Sequence, residues 1–86
     1  MTYTAERDSS ARRTGDATTL TLLVNGDRVD APVGSSLADF LRARALDPRL
    51  IVVEHNRVIL RDRDAYPKLR LSDGDTLEIV HFVGGG

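Results

Sequence analysis

Leu20-Thr21-Leu22-Leu23-Val24-Asn25-Gly26-Asp27-Arg28-Val29-Asp30-Ala31 is the stretch that decides the fold. Its first five residues favour a strand and partly alternate apolar with polar. Asn25-Gly26 then supplies the two consecutive positive φ angles of a type I′ turn, whose twist matches that of paired strands. The stretch therefore predicts a hairpin: a strand beginning near Thr18 or Thr19, a two-residue turn, and a short return strand over residues 28–31.

Upstream of the hairpin, residues 1–17 hold three acids (Glu6, Asp8, Asp16) and three arginines (Arg7, Arg12, Arg13) among Ser, Thr and Gly, with almost nothing large and apolar. Such a segment cannot bury enough surface to offset its ordering entropy. It is expected to be a disordered arm.

Downstream, Pro32-Val33-Gly34 is expected to break the strand, and Ser36 to cap a helix with Asp39 at its third position, a relative of the Ser-x-x-Glu capping box. Leu37, Phe40, Leu41 and Ala45 recur at helical spacing and should face the sheet. The helix should end before Pro48, because the residue before a proline is pushed away from helical angles. Residues 50–54, Leu-Ile-Val-Val-Glu, suit a central strand; Asn56-Arg57 makes a turn, and residues 58–60 a short strand. Residues 62–71 are polar around Tyr66-Pro67 and predict an irregular connection or one helical turn. Asp73-Gly74-Asp75 then turns the chain into a last strand over residues 76–82. Hairpin, helix, strand, short strand, connection, strand is the element order of an α+β, β-grasp (ubiquitin-like) domain. In that fold one main helix crosses a mixed sheet of four to five strands, and the first and last strands run parallel side by side. Residues 18–83 are assigned to this domain and residues 84–86 to a flexible tail.

Composition limits the function classes. At 86 residues the chain has room for one small core. Lys+Arg 12 against Asp+Glu 13 leaves a net charge of −1, with no basic field to hold a phosphate backbone, so nucleic acid is not expected as a partner. Eleven of the basic residues are Arg, but they alternate with acids, as in Arg61-Asp62-Arg63-Asp64, the pattern of a solvated face. No apolar run approaches the ~18 residues of a membrane helix, and no signal-peptide core is visible. A soluble, cytoplasmic protein, monomeric when free, is expected. Cysteine is absent, which removes disulfides, thiolate nucleophiles and thiolate metal sites.

Directly after the last strand come Val83-Gly84-Gly85-Gly86. Glycines at a chain end can be a flexible remnant, but here no spacer, tag or charged run separates them from the strand. Four extended residues reach about 13–14 Å. Lacking Cβ atoms, Gly84 and Gly85 could thread a slot too narrow for side chains and deliver the carboxylate of Gly86, expected to be free, into a partner's active site. In the strand itself, period two puts Leu77 and Ile79 on the core face and Val80 and Phe82 on the other. Val80, Phe82 and Val83 are thus the expected docking patch. His55 and His81 have no third candidate ligand nearby in sequence and read as solvated or hydrogen-bonded positions. Asp73-Gly74-Asp75 lacks the further oxygen ligands and distal Glu of a calcium loop and reads as a turn. No phosphate loop, nucleophile elbow or paired-carboxylate site is visible, so the chain is not expected to be an enzyme by itself.

Residues 77–86, Leu-Glu-Ile-Val-His-Phe-Val-Gly-Gly-Gly, preceded by Asp73-Gly74-Asp75, resemble the C-terminal signature of the ThiS family, the sulfur carriers of thiamine biosynthesis. Weaker matches at Leu22 to Gly26, at Ser36-Leu37-Ala38-Asp39-Phe40-Leu41 and at Val53-Glu54-His55-Asn56 extend the resemblance over about residues 19–86. Two departures lie at His55, which replaces a partly buried apolar residue, and at Arg57, which replaces the usual turn glycine. The resemblance implies that Gly86 is adenylated by a ThiF-like enzyme using ATP and Mg, and that a sulfur donor system then converts it to a thiocarboxylate. It also implies that a ThiG-like thiazole synthase takes up the sulfur. The carrier itself would bind no cofactor or metal. Three other readings remain open at this level: a MoaD-like small subunit of molybdopterin synthase, a ubiquitin-like protein modifier, and a structural module with an incidental glycine end.

Overall fold

The computed structural model describes residues 18–82; the expected arm at residues 1–17 and the end of the chain, Val83 through Gly86, lie outside the described residues. Five strands form one mixed sheet. In chain order they are β1 (Thr19–Val24), β2 (Asp27–Pro32), β3 (Ile51–His55), β4 (Val58–Leu60) and β5 (Thr76–His81), arranged across the sheet as β2-β1-β5-β3-β4. The helix α1 (Leu37–Ala43) and two 3-10 segments (Pro48–Leu50 and Arg63–Lys68) complete the described elements.

Asn25 and Gly26 sit at φ 50 and 88, the left-handed pair the I′ turn requires, and β1 pairs antiparallel with β2 from Val24↔Asp27 to Thr19↔Pro32. Pro32 is therefore the last residue of β2 rather than the first of the break, which falls at Val33-Gly34. It is tolerated because β2 is an edge strand. β1 and β5 run parallel, with Leu23 opposite Thr76 and Val24 opposite Leu77. β5 is antiparallel to β3 on its other side, from His55↔Leu77 to Ile51↔His81. This is the expected β-grasp arrangement, with first and last strands adjacent at the centre.

Alternation builds the core. Leu20, Leu22 and Val24 from β1, Ile51 and Val53 from β3, and Leu77 and Ile79 from β5 are buried on one face, against Leu37, Phe40 and Leu41 of α1. Leu22, Leu37, Leu41, Ile51, Leu77 and Val53 are almost completely removed from water. Tyr66 joins them from the second 3-10 segment, with its hydroxyl donating to the Leu60 carbonyl at 3.4 Å, and burial pushes that hydroxyl's pKa up.

The helix starts as expected and stops sooner. Ser36 Oγ accepts from the Asp39 N–H while Asp39 Oδ2 accepts from the Ser36 N–H, both at 3.0 Å, a complete capping box. After Ala43, however, Ala45 takes φ 57; its N–H donates to the Arg42 carbonyl at 3.0 Å, and Leu46 N–H donates to the Leu41 carbonyl at 2.8 Å. These are the two bonds of a Schellman motif, with Ala45 where glycine is usual. Ala45 is therefore exposed and not on the sheet-facing stripe. Leu46, one residue later, packs on the core in its place. An L-residue in this conformation costs about 1–2 kcal/mol, partly offset by the extra unfolded-state freedom of glycine. Ala45→Gly is expected to stabilise the domain by about 0.5–1 kcal/mol, a rise of about 3–6 °C in melting temperature by calorimetry for a domain this small. A fall in melting temperature would show that the left-handed turn is not strained.

β3 begins one residue later than the apolar run that predicts it. Leu50 belongs to the first 3-10 segment, is 55 % exposed, and is followed by the buried Ile51. Arg63 ties this corner down, its Nε donating to the Pro48 carbonyl at 2.7 Å and a terminal nitrogen to that of Ile51 at 3.3 Å.

Candidate functional site

Of the residues the sequence assigns to docking and chemistry, Val80 and Phe82 lie where β5 leaves the sheet, while Val83, Gly84, Gly85 and Gly86 lie outside the described residues. Thr76, Glu78 and Val80 alternate with the buried Leu77 and Ile79 and point away from the helix. Val80 is 62 % exposed and Phe82 51 %. Phe82 falls just past the end of β5, but its N–H still donates to the Leu50 carbonyl at 2.9 Å. Val80 is directly opposite the half-buried Val52. Val52 and Val80 on the adjacent strands β3 and β5, with Leu50 and Phe82 paired just beyond the strand ends, thus give an open apolar surface at the end of β5. Sequence reasoning misses Leu50 as a member of this surface, because its run of apolar neighbours reads as strand interior. The available signal is Pro48, which starts a 3-10 turn and delays the strand.

At the opposite end of β5 the two histidine and aspartate readings converge. Asp75 is buried, and its carboxylate accepts from His55 Nε2 at 2.8 Å, from the Ser72 N–H at 2.9 Å and from Asn56 Nδ2 at 3.1 Å. Because an ionised carboxylate only accepts, His55 Nε2 carries the proton in this pair. Asn56 Oδ1 in turn accepts from the Thr76 N–H at 2.8 Å. Asp73 Oδ1 accepts from the Thr21 N–H at 2.7 Å. Both carboxylates of Asp73-Gly74-Asp75 are therefore spent on holding a turn. Among the described residues no cluster of His, Asp or Glu could hold a metal ion.

His55, the departure from the family pattern, is thus matched by Asp75 rather than being a misplaced polar group. Asn56 and Arg57 take φ 48 and 72, so Arg57 adopts the left-handed conformation at the position of the missing glycine.

Burial alone would raise the Asp75 carboxyl, but the hydrogen bonds from His55, Ser72 and Asn56 outweigh it and hold the pKa below its ordinary 3.8. A carboxyl depressed in the folded state stabilises fully above its unfolded pKa, and that contribution disappears as pH falls through the folded value. Acid unfolding followed by circular dichroism is therefore expected to show stability falling below about pH 4, and Asp75→Asn to flatten that limb. An unchanged acid limb in the variant would show that other carboxylates set it.

The molecule so described is a small β-grasp domain whose central strand ends beside an apolar surface. Residues 18–86 match the ThiS family, and the chain belongs to that family. It is 39 % identical over 51 residues to the sulfur carrier protein ThiS of Bacillus subtilis, covering 59 % of this chain and 76 % of that one. It is also 33 % identical over 63 residues to a thiazole synthase of Magnetococcus marinus, a match that takes in 73 % of this chain but only 19 % of that larger protein. In three dimensions it is similar to the crystal structure of a thiamine biosynthesis protein (ThiS) from Geobacter metallireducens, with a TM-score of 0.65 and 31 % identity over 78 % of this chain and 100 % of that one. Among the described residues no helix is long and apolar enough to cross a membrane.

Proposed function

We propose that this protein is a sulfur carrier of thiamine biosynthesis that works through a thiocarboxylate on Gly86. The observation that carries the reading is that the family match runs through residue 86, over the whole glycine ending. A carboxylate with an ordinary terminal pKa of about 3.3–3.7 is ionised at neutral pH and acylates nothing. In the proposed cycle the Gly86 carboxylate attacks the α-phosphorus of ATP in a ThiF-like enzyme that also supplies Mg, releasing pyrophosphate. Sulfide, or the outer sulfur of a donor persulfide, then displaces AMP from the acyl carbon; in the persulfide case a second donor thiol attacks the donor sulfur of the acyl disulfide, releasing the thiocarboxylate and leaving a disulfide on the donor. The thiocarboxylate keeps a reactive sulfur on a chain that has no cysteine.

The acceptor in this reading is thiazole synthase. Support comes from the Magnetococcus thiazole synthase, in which a stretch resembling this chain belongs to the same polypeptide. The apolar surface of Val80 and Phe82, with Val83 beyond it, docks the partner while Gly84 and Gly85 thread its slot. On this account the carrier is a substrate rather than an enzyme, binds no cofactor of its own, and acts in the cytoplasm as a monomer between partners.

The test is carrier-dependent exchange of labelled pyrophosphate into ATP by a ThiF-type enzyme from the same organism. Exchange that requires this protein and its final glycine is the expected result. No exchange with a competent enzyme, together with a stable complex with a large molybdopterin synthase subunit, would move the protein to the other thiocarboxylate pathway.

A further inference from the structure

Asn25 is half of a turn signal, but its side chain does something the turn does not need. Its backbone N–H donates to the Leu77 carbonyl at 2.9 Å, the last backbone rung between β1 and β5. The chain then turns away at Gly26 into β2, while β5 continues through Ile79 to His81. From there the Asn25 amide takes over the ladder. Its Oδ1 accepts from the Ile79 N–H at 2.7 Å and its Nδ2 donates to the Ile79 carbonyl at 3.2 Å. Only this orientation of the amide matches acceptor to donor at both contacts, so one side chain reproduces the paired groups of a strand residue.

Without that amide, β5 beyond Leu77 would be held from one side only, by β3 through Val53↔Ile79, Val52↔Val80 and Ile51↔His81. A strand end paired on one side frays and swings more readily than one clamped on both. The strand end concerned is the one that leads to the glycines.

We propose that Asn25 is a positioning residue that splints the C-terminal end of β5 and so fixes the direction in which that strand ends at Phe82. This deepens the carrier reading and rests on it insofar as that direction governs delivery of Gly86 to a partner. Misplacing a reacting group by about 1 Å can cost about a hundredfold in rate, so a splint this close to the tail bears on turnover as well as on order.

Two substitutions separate the splint from the turn. Asn25→Gly keeps the positive φ and deletes the amide; Asn25→Asp keeps the acceptor for the Ile79 N–H but puts a second, charged acceptor where the donor faced the Ile79 carbonyl. In hydrogen exchange by NMR, Ile79 protection is expected to fall about tenfold relative to Leu22 and Val53 in Asn25→Gly, and by less in Asn25→Asp. In adenylation by a ThiF-type enzyme, kcat/KM is expected to fall about tenfold in Asn25→Gly and by less in Asn25→Asp. Val29→Ala on the far edge strand β2, a comparable loss of packing, should leave that ratio unchanged. Undiminished Ile79 protection in Asn25→Gly would overturn the splint. So would lost protection with adenylation equal to the parent, since direction would then not matter. A parent protein that is not adenylated at all would sink the carrier reading instead, and the exchange data alone would then uphold or overturn the splint.

Discussion

Gly85→Val is expected to leave the melting temperature unchanged within about 2 °C, since glycine has no side chain to lose, and to lower kcat/KM for adenylation by at least about a hundredfold. The reason is steric and local to the slot. A partner that accepts glycine at this position has no need to leave space for a Cβ, and valine adds two further carbons that are stiff about χ1. Valine is also confined to a narrower range of φ and ψ than glycine, so the chain cannot relieve the clash by changing backbone path. In the proposed cycle the carboxylate of Gly86 reaches attacking distance of the α-phosphorus, and the chain between the slot and that carboxylate is a single residue. Gly85→Ala should fall between the two, because it adds the Cβ without the branch. Full adenylation of Gly85→Val, measured by pyrophosphate exchange, would mean that the tail is bound in an open groove and that the glycines serve flexibility alone.

The second large effect is expected at Phe82. With half its surface exposed in the free protein, the ring contributes little to the core, and Phe82→Ala should cost less than about 1 kcal/mol in stability. Buried against a partner, an aromatic anchor at the centre of an interface is worth about 2 kcal/mol or more. That converts to about a 30-fold loss of affinity, which should appear as a rise in KM for the carrier with kcat nearly unchanged, the signature of lost uniform binding. Isothermal titration against the adenylating enzyme and thermal unfolding of the free protein together decide the matter. A large drop in melting temperature with unaltered binding would assign Phe82 to the fold and leave Val80 as the docking residue.

Several of these features are legible in the amino-acid sequence because a single local rule governs each of them. The hairpin follows from Asn25-Gly26, the helix start from Ser36 and Asp39, and the exposure of Val80 and Phe82 from the two-residue period set by Leu77 and Ile79. The features that local rules miss are decided by tertiary neighbours. Helical spacing gives no sign that the chain goes left-handed at Ala45, since alanine is the best helix former and a poor stop signal. Leu46 is plain in the sequence, but its packing onto the core depends on that turn.

His55 is legible as a solvated or hydrogen-bonded position, but its partner is not, because Asp75 is far along the chain and arrives only when β3 and β5 pair. Tyr66 is hidden by its polar neighbours and by Pro67, which marks an irregular segment without saying which side chain it turns inward. Arg63 reads as part of an alternating charged face; its actual partners are two backbone carbonyls across the corner. Asn25 is legible as a turn residue and no more, since no turn rule predicts that an amide will extend a neighbouring strand.

The central claim is that sulfur is carried on Gly86, and mass spectrometry of the isolated C-terminal fragment tests it most directly. The protein would be incubated with a ThiF-type adenylating enzyme from the same organism, Mg-ATP and a sulfur source, and the product alkylated before fragmentation. Fragment isolation is needed because oxidation of Met1 adds nearly the same mass as exchanging oxygen for sulfur. The account predicts an alkylated thiocarboxylate confined to Gly86 and absent when ATP is withheld. An unmodified Gly86 in the presence of an enzyme that consumes ATP with another carrier would contradict it.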